Sequence, residues 1–265
     1  MISRISFATI ILFFLACFPI EGDTSPVSAF GPGERLEFVL TWAGIAAADT
    51  VMSVEEAKDL RGRTIYKLVN TAESRAVIDM IYPVRNRYES HISPEDGLPR
   101  KYIHHMREGS KRSDRIFLFD QNRQLVKRIE REDDRTSNIV YEIERQTYDT
   151  LSSLYAMRNM QFAVGDSVTF KVFDNRKNYE LEVDVLAREE VEVAAGRFMT
   201  IKVQPKLKFE GIFRRKGELF VWMTDDERHI PVLMRSKVSV GSINAELVQY
   251  IDAADTSPEG MNKSE

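Results

Sequence analysis

The chain has 265 residues, 29% of them charged, and a formal net charge of −4. Charge so close to balance excludes a nucleic-acid-binding class that works through a strongly basic surface. Cys17 is the only cysteine, which excludes an internal disulfide, and a chain of this length buries enough core to fold without one.

The segment 1–29 is predicted to be a signal peptide. Arg4 supplies the positive start, and an almost wholly apolar run follows from residue 5 to residue 20. This run is shorter than the ~20 residues that a membrane-spanning helix needs, and it is typical of a signal-peptide core. The small residues around Ala29 suit a signal peptidase, so we predict cleavage after Ala29 and export.

Cys17 offers a second route to the envelope. Residues 14–17 read Phe-Leu-Ala-Cys and are similar to a bacterial lipoprotein box, with Phe14 where leucine is usual. Acylation of Cys17 would anchor the protein to a membrane. The sequence leaves both routes open, and each predicts a protein of the periplasm or one associated with the outer membrane.

Strand patterns fill residues 30–148, which we interpret as a first β repeat. Phe38, Leu40 and Trp42 alternate with polar side chains, a period that buries one face of a strand. Further strands are predicted at 46–56, 63–74, 85–92, 100–107, 112–120, 123–130 and 137–145. Tight turns separate these strands, which favours antiparallel pairing because parallel crossovers need a dozen or more residues.

Residues 149–160 are predicted to form a connecting helix. Asp149 can cap its start, and Leu151, Leu154 and Tyr155 fall on one face of a helical turn pattern. The helix stands just before the strand patterns resume, so it should join the two β regions.

Residues 161–252 are interpreted as a second β repeat. Tyr179, Leu181, Val183 and Val185 alternate with charged side chains, and the same pattern continues around Ile201. Further strands are predicted at 188–194, 217–224, 232–239 and 243–251. The polar segment 253–265, which contains Pro258 and Gly260, is predicted to be disordered.

The two β regions share a sequence pattern. Gly33-Glu34-Arg35-Leu36-Glu37-Phe38 opens the first, and Gly165-Asp166-Ser167-Val168-Thr169-Phe170 opens the second. The same offset between them returns at Pro99 and Pro231. We therefore expect an all-β fold of antiparallel curved sheets or a partly open barrel, built as two related repeats joined by a short helix.

The histidines give no sign of a metal site. They are His91, His104, His105 and His229, and no pair has the spacing of a zinc motif. His104 and His105 are neighbours on a predicted strand, so their side chains should point to opposite faces. The sequence predicts neither a metal nor a cofactor.

One acidic cluster is a candidate for catalysis. Asp225, Asp226 and Glu227 stand at the end of a predicted strand, and two carboxylates held ~5–9 Å apart can hydrolyse a glycosidic bond. Ser93-Pro94-Glu95-Asp96 stands at the equivalent place in the first repeat. Because both segments precede a proline and a new strand, a hairpin turn is the simpler interpretation.

Basic and aromatic side chains form the candidate binding groove. Gathered on one face, they would suit an anionic head group, a glycan or a phosphate. Strand alternation instead turns half of them outwards, and strand aromatics are more often core. The candidates are Trp42, Tyr82, Arg100, Lys101, Phe213, Arg214, Arg215, Lys216 and Trp222.

Several segments together resemble a known family. They are Tyr82-Pro83-Val84-Arg85-Asn86-Arg87-Tyr88-Glu89-Ser90, Asp149-Thr150-Leu151-Ser152-Ser153-Leu154-Tyr155, Val193-Ala194-Ala195-Gly196-Arg197-Phe198, Gly211-Ile212-Phe213, Thr224-Asp225-Asp226-Glu227-Arg228-His229-Ile230-Pro231-Val232 and Gly241-Ser242. As a set they resemble the exported bacterial domain-of-unknown-function family 3108, across residues 33–251. The resemblance implies an envelope location and a mostly β fold. It brings no established activity, cofactor or catalytic residue.

The leading hypothesis is a non-enzymatic envelope protein that binds an amphipathic or anionic component, such as a lipid, glycan or protein, in a groove of a β scaffold. The alternative is a hydrolase of envelope polysaccharide that uses the carboxylates of the 225–227 turn. That alternative requires the carboxylates to face a pocket with raised pKa values. A third hypothesis, a structural assembly protein, requires a large exposed apolar patch.

Overall fold

The computed structural model describes residues 20–21, 27–132, 135–209, 212–213, 218–237 and 241–253. Within these residues the chain forms 17 strands in one sheet and two short helices, which confirms the all-β prediction. The strands are β1 (Ile20–Glu21), β2 (Arg35–Trp42), β3 (Ile45–Lys58), β4 (Thr64–Ser74), β5 (Arg85–Ile92), β6 (Pro99–Glu108), β7 (Lys111–Asp120), β8 (Leu125–Glu132), β9 (Arg135–Glu142), β10 (Thr147–Tyr148), β11 (Ser167–Asp174), β12 (Lys177–Val193), β13 (Gly196–Phe209), β14 (Ile212–Phe213), β15 (Leu219–Thr224), β16 (Pro231–Lys237) and β17 (Ser242–Ile251). The helices are α1 (Ala76–Asp79) and α2 (Thr150–Arg158).

The sheet consists of two antiparallel meanders joined edge to edge. Strands β2 to β9 pair in sequence order, and so do β11 to β17, with β14 paired to β13 alone. The last strand, β17, pairs antiparallel with β2, so that Leu247 stands opposite Phe38. Only the two-residue strands β1 and β10 pair parallel, both with β11.

The sheet curves until its two ends meet through side chains. Phe173 of β11 packs 5.3 Å from the ring of Tyr141 on β9 and 6.1 Å from that of Phe117 on β7. Asn178 Nδ2 donates a hydrogen bond of 3.0 Å to the carbonyl of Glu142. No ladder of backbone hydrogen bonds joins β9 to β11 in the described residues. In the described residues, side-chain packing therefore closes the curved sheet, and backbone hydrogen bonds do not.

Two ends of the curved sheet have different structures. The upper end, as we call it, carries α1 and the turns at Gly44 and Gly109. The lower end carries α2, the segment 27–34 and the turn 225–229. Helix α2 packs between two hydrophobic cores: Tyr155 belongs to the larger core, which β2 to β8 enclose, and Met157 belongs to the smaller core under β11 to β15.

The connecting helix begins where its cap predicts. Asp149 Oδ1 accepts hydrogen bonds of 2.9 Å from the backbone N–H groups of Leu151 and Ser152, and Ser152 Oγ accepts a bond from the Asp149 N–H. This capping box satisfies N–H groups that have no partner within the helix. Ser90 Oγ donates a 2.5 Å hydrogen bond to Asp149 Oδ2, which fastens the cap to β5.

A buried ion pair fastens the lower end. Arg158 at the end of α2 is fully buried, and its two Nη atoms each donate a 2.7 Å hydrogen bond to Glu34. Its Nε donates to the carbonyl of Arg228, and one Nη also donates to the carbonyl of Ala29. The guanidinium thus joins the helix, the N-terminal segment and the 225–229 turn.

The N-terminal segment packs against this lower end. Ala29 is buried, and the Ser28 and Ala29 N–H groups donate to Asn159 Oδ1 at 2.8 and 3.2 Å. The Val27 N–H donates to the carbonyl of Pro94. Cleavage after Ala29 would remove these contacts. The predicted signal peptide stays a prediction, since residues 1–19, with Cys17, and residues 22–26 lie outside the described part, as does the predicted disordered tail from residue 254.

The two β regions open with the same local geometry. The Gly33 N–H donates to the Val54 carbonyl, and the Val54 N–H donates to the Glu34 carbonyl. In the second region the Gly165 N–H donates to the Val185 carbonyl, and the Val185 N–H donates to the Asp166 carbonyl. Both glycines have positive φ, 96° and 97°, which favours glycine. The likeness concerns these two turns, and duplication of the whole regions stays a prediction. Strand β12 runs unbroken past a bulge after Val185, where the sequence predicts two strands.

Candidate functional site

Polar side chains cross the inner face of the sheet in one row. Strand register places each member directly opposite the next, from β4 to β8. They share this face with the buried core residues Tyr102 and Phe117, because side chains two positions apart on a strand point the same way. We call them the polar row: Asn70, Tyr88, His104, Arg115 and Glu130.

The row lies in the upper half of the inner face, above a level of side chains that is aromatic on β6 and β7 and carries Arg128 on β8. One position lower on each strand pair stand Tyr102, Phe117 and, on β8, Arg128. The rings of Tyr102 and Phe117 are stacked 5.8 Å apart, and Tyr88 contacts His104 with ring centroids 4.7 Å apart. A polar level therefore stands directly on an aromatic one.

Three charged side chains form a triad at one end of the row, with Arg128 and Glu130 buried and Arg115 partly buried. Arg115 Nε donates a 2.6 Å hydrogen bond to Glu130, and Arg128 donates to the other oxygen of the same carboxylate. The Arg128 side chain is 2% exposed and that of Glu130 is 9% exposed. Burial opposes ionisation of Glu130, but the two guanidinium groups prevail and keep its pKa below the usual value. The triad therefore carries a net charge of about +1.

His104 is neutral at pH 7. Burial, together with the positive charge of Arg115, lowers its pKa to about 4. Burial and the charge of Glu108 raise the pKa of the neighbouring Tyr88 phenol. The row thus offers neutral hydrogen-bonding groups beside the positive triad, whose charge the nearby carboxylates of Glu108 and Asp174 partly offset.

Three buried polar atoms in and beside the row have no hydrogen-bond partner among the described residues. They are His104 Nε2, Ser113 Oγ on the level above, and Arg128 Nε on the level below. Arg128 Nε can only donate, the Ser113 hydroxyl can donate or accept, and His104 Nε2 does either according to its tautomer. A buried polar group without a partner costs about 1–3 kcal/mol, so a water or a ligand that bonds to these atoms would stabilise the protein. An acceptor-rich anionic group is the chemical complement of this set.

The acidic cluster predicted from the sequence is a turn. Asp226 accepts hydrogen bonds from Thr224 Oγ1 at 2.7 Å and from the Arg228 and His229 N–H groups, and Asp225 accepts from Arg188 at 2.8 Å. All three carboxylate residues are exposed. Burial works against ionisation of Asp226, yet these hydrogen bonds keep its pKa low. The pKa of Asp226 is thus shifted in the direction opposite to the one that the hydrolase alternative requires.

The aromatic and basic candidates do not form one groove. Trp42 and Tyr82 lie half-exposed at the upper end. Arg100 lies at the lower end, where it pairs with Asp96 at 2.6 Å, and Lys101 stands opposite His91 and Leu118 on the outer face. The side chain of Phe213, together with Arg214, Arg215 and Lys216, falls outside the described part.

Trp222 is a core residue. It is 5% exposed, and its Nε1 donates a 2.6 Å hydrogen bond to Glu189. Lys202 Nζ lies 4.7 Å from its ring centroid and Arg235 covers it at 5.6 Å. A tryptophan enclosed in this way stabilises the sheet and is not accessible to a ligand.

The histidines are separated, as their spacing predicts. His104 faces inwards, whereas its neighbour His105 bonds to Asp114 at 2.8 Å on the outer face. His229 Nδ1 contacts the Arg158 carbonyl at the lower end, and His91 contacts Glu89. Within the ranges that the structure describes, no three His, Asp or Glu residues gather as metal ligands.

A cavity of about 20 Å³ lies at the lower end, between the N-terminal segment and α2. Phe30, Ile92 and Tyr155 are among its lining residues. This volume is room for about one water molecule. This cavity is therefore too small for a ligand larger than water.

Sequence reasoning missed most of the polar row. The sequence pattern raises His104 only as a possible metal ligand, and it does not single out Arg115. A signal was nevertheless present, because Val126, Arg128 and Glu130 share one phase of β8 and Val126 is apolar. If the alternation that buries Val126 is continued along β8, it assigns Arg128 and Glu130 to the inner face of the sheet, although both are charged.

Comparison with known proteins supports the fold and the family resemblance. The family model described as "Protein of unknown function (DUF3108)" matches residues 37–248. The sequence matches no curated protein. A crystal structure of a β-barrel-like protein of the unknown-function family DUF1849 from Brucella abortus aligns with 85% of this chain and 99% of its own, at 11% identity and a TM-score of 0.55. It shows a shared fold alone.

Two further crystal structures align over similar lengths but less closely. A candidate exported protein with a YmcC-like fold from Bacteroides fragilis covers 87% of this chain and 99% of its own, at 11% identity and a TM-score of 0.32. A candidate lipoprotein from Parabacteroides distasonis covers 86% and 98%, at 10% identity and a TM-score of 0.35. Such scores do not establish a common fold. Neither described helix of this chain has the length and apolar character to cross a membrane.

Proposed function

We propose that this chain, which belongs to the DUF3108 family of proteins of unknown function, is an exported, non-enzymatic envelope protein that binds the head group of an anionic amphiphile at the polar row. The observation that carries the proposal is the set of three buried, unpartnered polar atoms: His104 Nε2, Ser113 Oγ and Arg128 Nε. A phosphate or carboxylate head group would accept hydrogen bonds from this set and would balance the positive triad.

The surroundings of the row support an amphiphile over a free ion. Aromatic side chains stand below the row, and exposed apolar side chains, among them Trp42 and Ile45, stand at the upper end of the sheet. A ligand with an apolar part finds contacts there, whereas a small free anion needs only the donors. The export signal predicted from the sequence would place the protein among envelope lipids and glycolipids.

The test is binding of fluorescent phosphatidylglycerol, in detergent below its critical micelle concentration, to the processed protein and to Arg128→Met. Glu130 keeps Arg115 as its partner in this variant, so no buried carboxylate is left unpaired. We expect affinity to fall at least about tenfold, because hydrogen bonds to charged groups contribute about 1.5–3 kcal/mol. Equal affinity of wild type and variant would contradict the proposal.

Lys127→Met is the matched control. Lys127 precedes Arg128 on β8, points to the opposite face and is exposed. The Lys127→Met variant loses one positive charge, as Arg128→Met does, but leaves the polar row intact. Its affinity for phosphatidylglycerol should therefore equal that of the wild type. His104→Gln is a second probe with a smaller change of shape, and thermal unfolding of each variant separates lost binding from lost fold.

The hydrolase alternative has no support from the 225–227 turn. Asp225→Ala and Asp226→Ala would abolish a hydrolase, whereas the binding proposal expects them to leave phosphatidylglycerol affinity unchanged.

A further inference from the structure

A patch of exposed apolar side chains projects from the upper end at α1. We call Val77, Met80, Ile81 and Tyr82 the α1 tip; their exposed fractions are 57%, 81%, 82% and 43%. Isolated exposed apolar residues are ordinary on protein surfaces, but four within six positions of one turn form a contiguous patch that marks an interaction site. Trp42 and Ile45, at 43% and 54% exposure, stand at the same end.

The tip is held together by hydrogen bonds within its own backbone. The Met80 N–H donates to the Ala76 carbonyl, and the Tyr82 N–H donates to the Ile78 carbonyl at 2.7 Å. The Tyr82 ring lies against Gly109, where an added Cβ would stand 2.8 Å from ring carbon Cε2. Backbone polar groups that are already satisfied can enter an apolar phase at low cost.

The charges around the tip favour a surface with negative groups. Asp79 is bound by Arg85 at 2.5 Å and also by Ser74, which together lower its pKa to about 2, and Asp49 is bound by Arg75. Lys111 and Arg112 stand beside Gly109, under Tyr82, and neither forms an ion pair with a described carboxylate. Of the other acids nearby, Glu108 is partly buried and accepts a 2.7 Å hydrogen bond from Asn86 Nδ2, and Glu73 stands opposite Arg85 on the next strand. Lys111 and Arg112 are the exposed charges beside Gly109.

We propose that the α1 tip is a membrane-contact surface that inserts its aliphatic side chains into the interface of an anionic lipid bilayer. Tyr82 and Trp42 have the apolar body and polar edge that favour the depth of lipid head groups, and Lys111 and Arg112 complement anionic lipids. A second copy of the chain is a poorer occupant, because a two-fold contact through the tip would bring Lys111 and Arg112 towards their own equivalents. This proposal is independent of ligand binding at the polar row.

The experiment is co-sedimentation of the processed protein with vesicles of phosphatidylethanolamine and phosphatidylglycerol. The protein carries Cys17→Ser, so that no acyl chain can contribute to binding. We expect the double variant Met80→Glu/Ile81→Glu to bind at least about tenfold more weakly. We expect Lys111→Gln/Arg112→Gln to lose about fivefold per charge on these vesicles and nothing on pure phosphatidylcholine.

Leu60→Glu is the matched control, because Leu60 is a fully exposed leucine in the β3–β4 turn at the opposite end. It should bind as the wild type does. Equal binding by the Met80/Ile81 variant, or equal loss in Leu60→Glu, would overturn the proposal. So would a wild-type dimer in size-exclusion chromatography that the tip variant abolishes, which would assign the surface to a second copy. The Met80→Glu/Ile81→Glu variant should keep the wild-type affinity for monomeric phosphatidylglycerol, which separates this proposal from the proposed function.

Discussion

Removal of Arg158 should destabilise the protein more than any exposed substitution. Arg158 is 0% exposed and Glu34 is 3% exposed, and Arg158→Met would leave the Glu34 carboxylate buried without its partner. Breaking a buried pair in this way costs about 3–5 kcal/mol, a large share of the 5–15 kcal/mol that stabilises a typical domain. The variant also loses the hydrogen bonds to the Ala29 and Arg228 carbonyls.

Urea unfolding followed by tryptophan fluorescence measures this loss. The midpoint should fall while the dependence on urea stays unchanged, because the surface exposed on unfolding is the same. The double variant Glu34→Gln/Arg158→Met should lose clearly less unfolding free energy than the sum of the losses in the two single variants. The difference, which is the coupling energy of the pair, should be about 2–3 kcal/mol. Arg123→Met is the control, since Arg123 is 80% exposed and its ion pair with Asp120 is long, at 3.7 Å. A cost below about 1 kcal/mol for Arg158→Met, or additive costs in the double variant, would refute the reasoning.

Three further predictions concern titration and processing. The pKa of His104 is about 4 in the folded protein and 6.5 in the unfolded chain, so the stability that neutral His104 contributes is present above pH 6.5 and is lost as pH falls towards 4. This loss of stability in acid is about 2 kcal/mol after allowance for partial exposure. Comparison of urea midpoints across pH should show that the loss vanishes in His104→Gln. Burial raises the pKa of Asp149 to about 6, so its stabilising contribution is present below pH 3.8 and is lost as pH rises through 6. Asp149→Asn keeps an acceptor for the helix cap and should remove this dependence of stability on pH. An unchanged pH profile in the variant would show that the cap tolerates the charge. The sequence pattern alone predicts an exported chain that begins at Phe30, whereas the packing of residues 27–29 into the lower end favours an N-terminus before Val27. We expect the intact mass of the exported protein to show the earlier N-terminus, and a chain beginning at Phe30 would contradict this.

Much of the fold follows from local sequence signals. Alternation at 38–42 and 179–185 marks strands whose one face is buried, and Asp149 marks the start of α2 through its side-chain cap. These signals act over a few residues and need no knowledge of the partner strand. The pairing of β17 with β2 joins residues far apart in the chain, and no local pattern encodes it.

The candidate site was harder to predict because register creates it. His104, Arg115 and Glu130 come from three strands and meet only because pairing places them opposite one another. Composition also misled, since charged residues are normally assigned to the solvent face, whereas Arg128 is buried with Glu130. Trp222 shows the opposite error: an aromatic residue proposed for a groove is enclosed by Lys202 and Arg235.

Native mass spectrometry with lipid extraction shows whether an anionic amphiphile occupies the polar row. The processed protein would be purified gently from its own envelope, beside Arg128→Met and Lys127→Met. We expect an anionic amphiphile at fixed stoichiometry on the wild type and on Lys127→Met, and its loss from Arg128→Met. A clean apo mass for all three proteins, or an amphiphile retained equally by Arg128→Met, would contradict binding at the polar row.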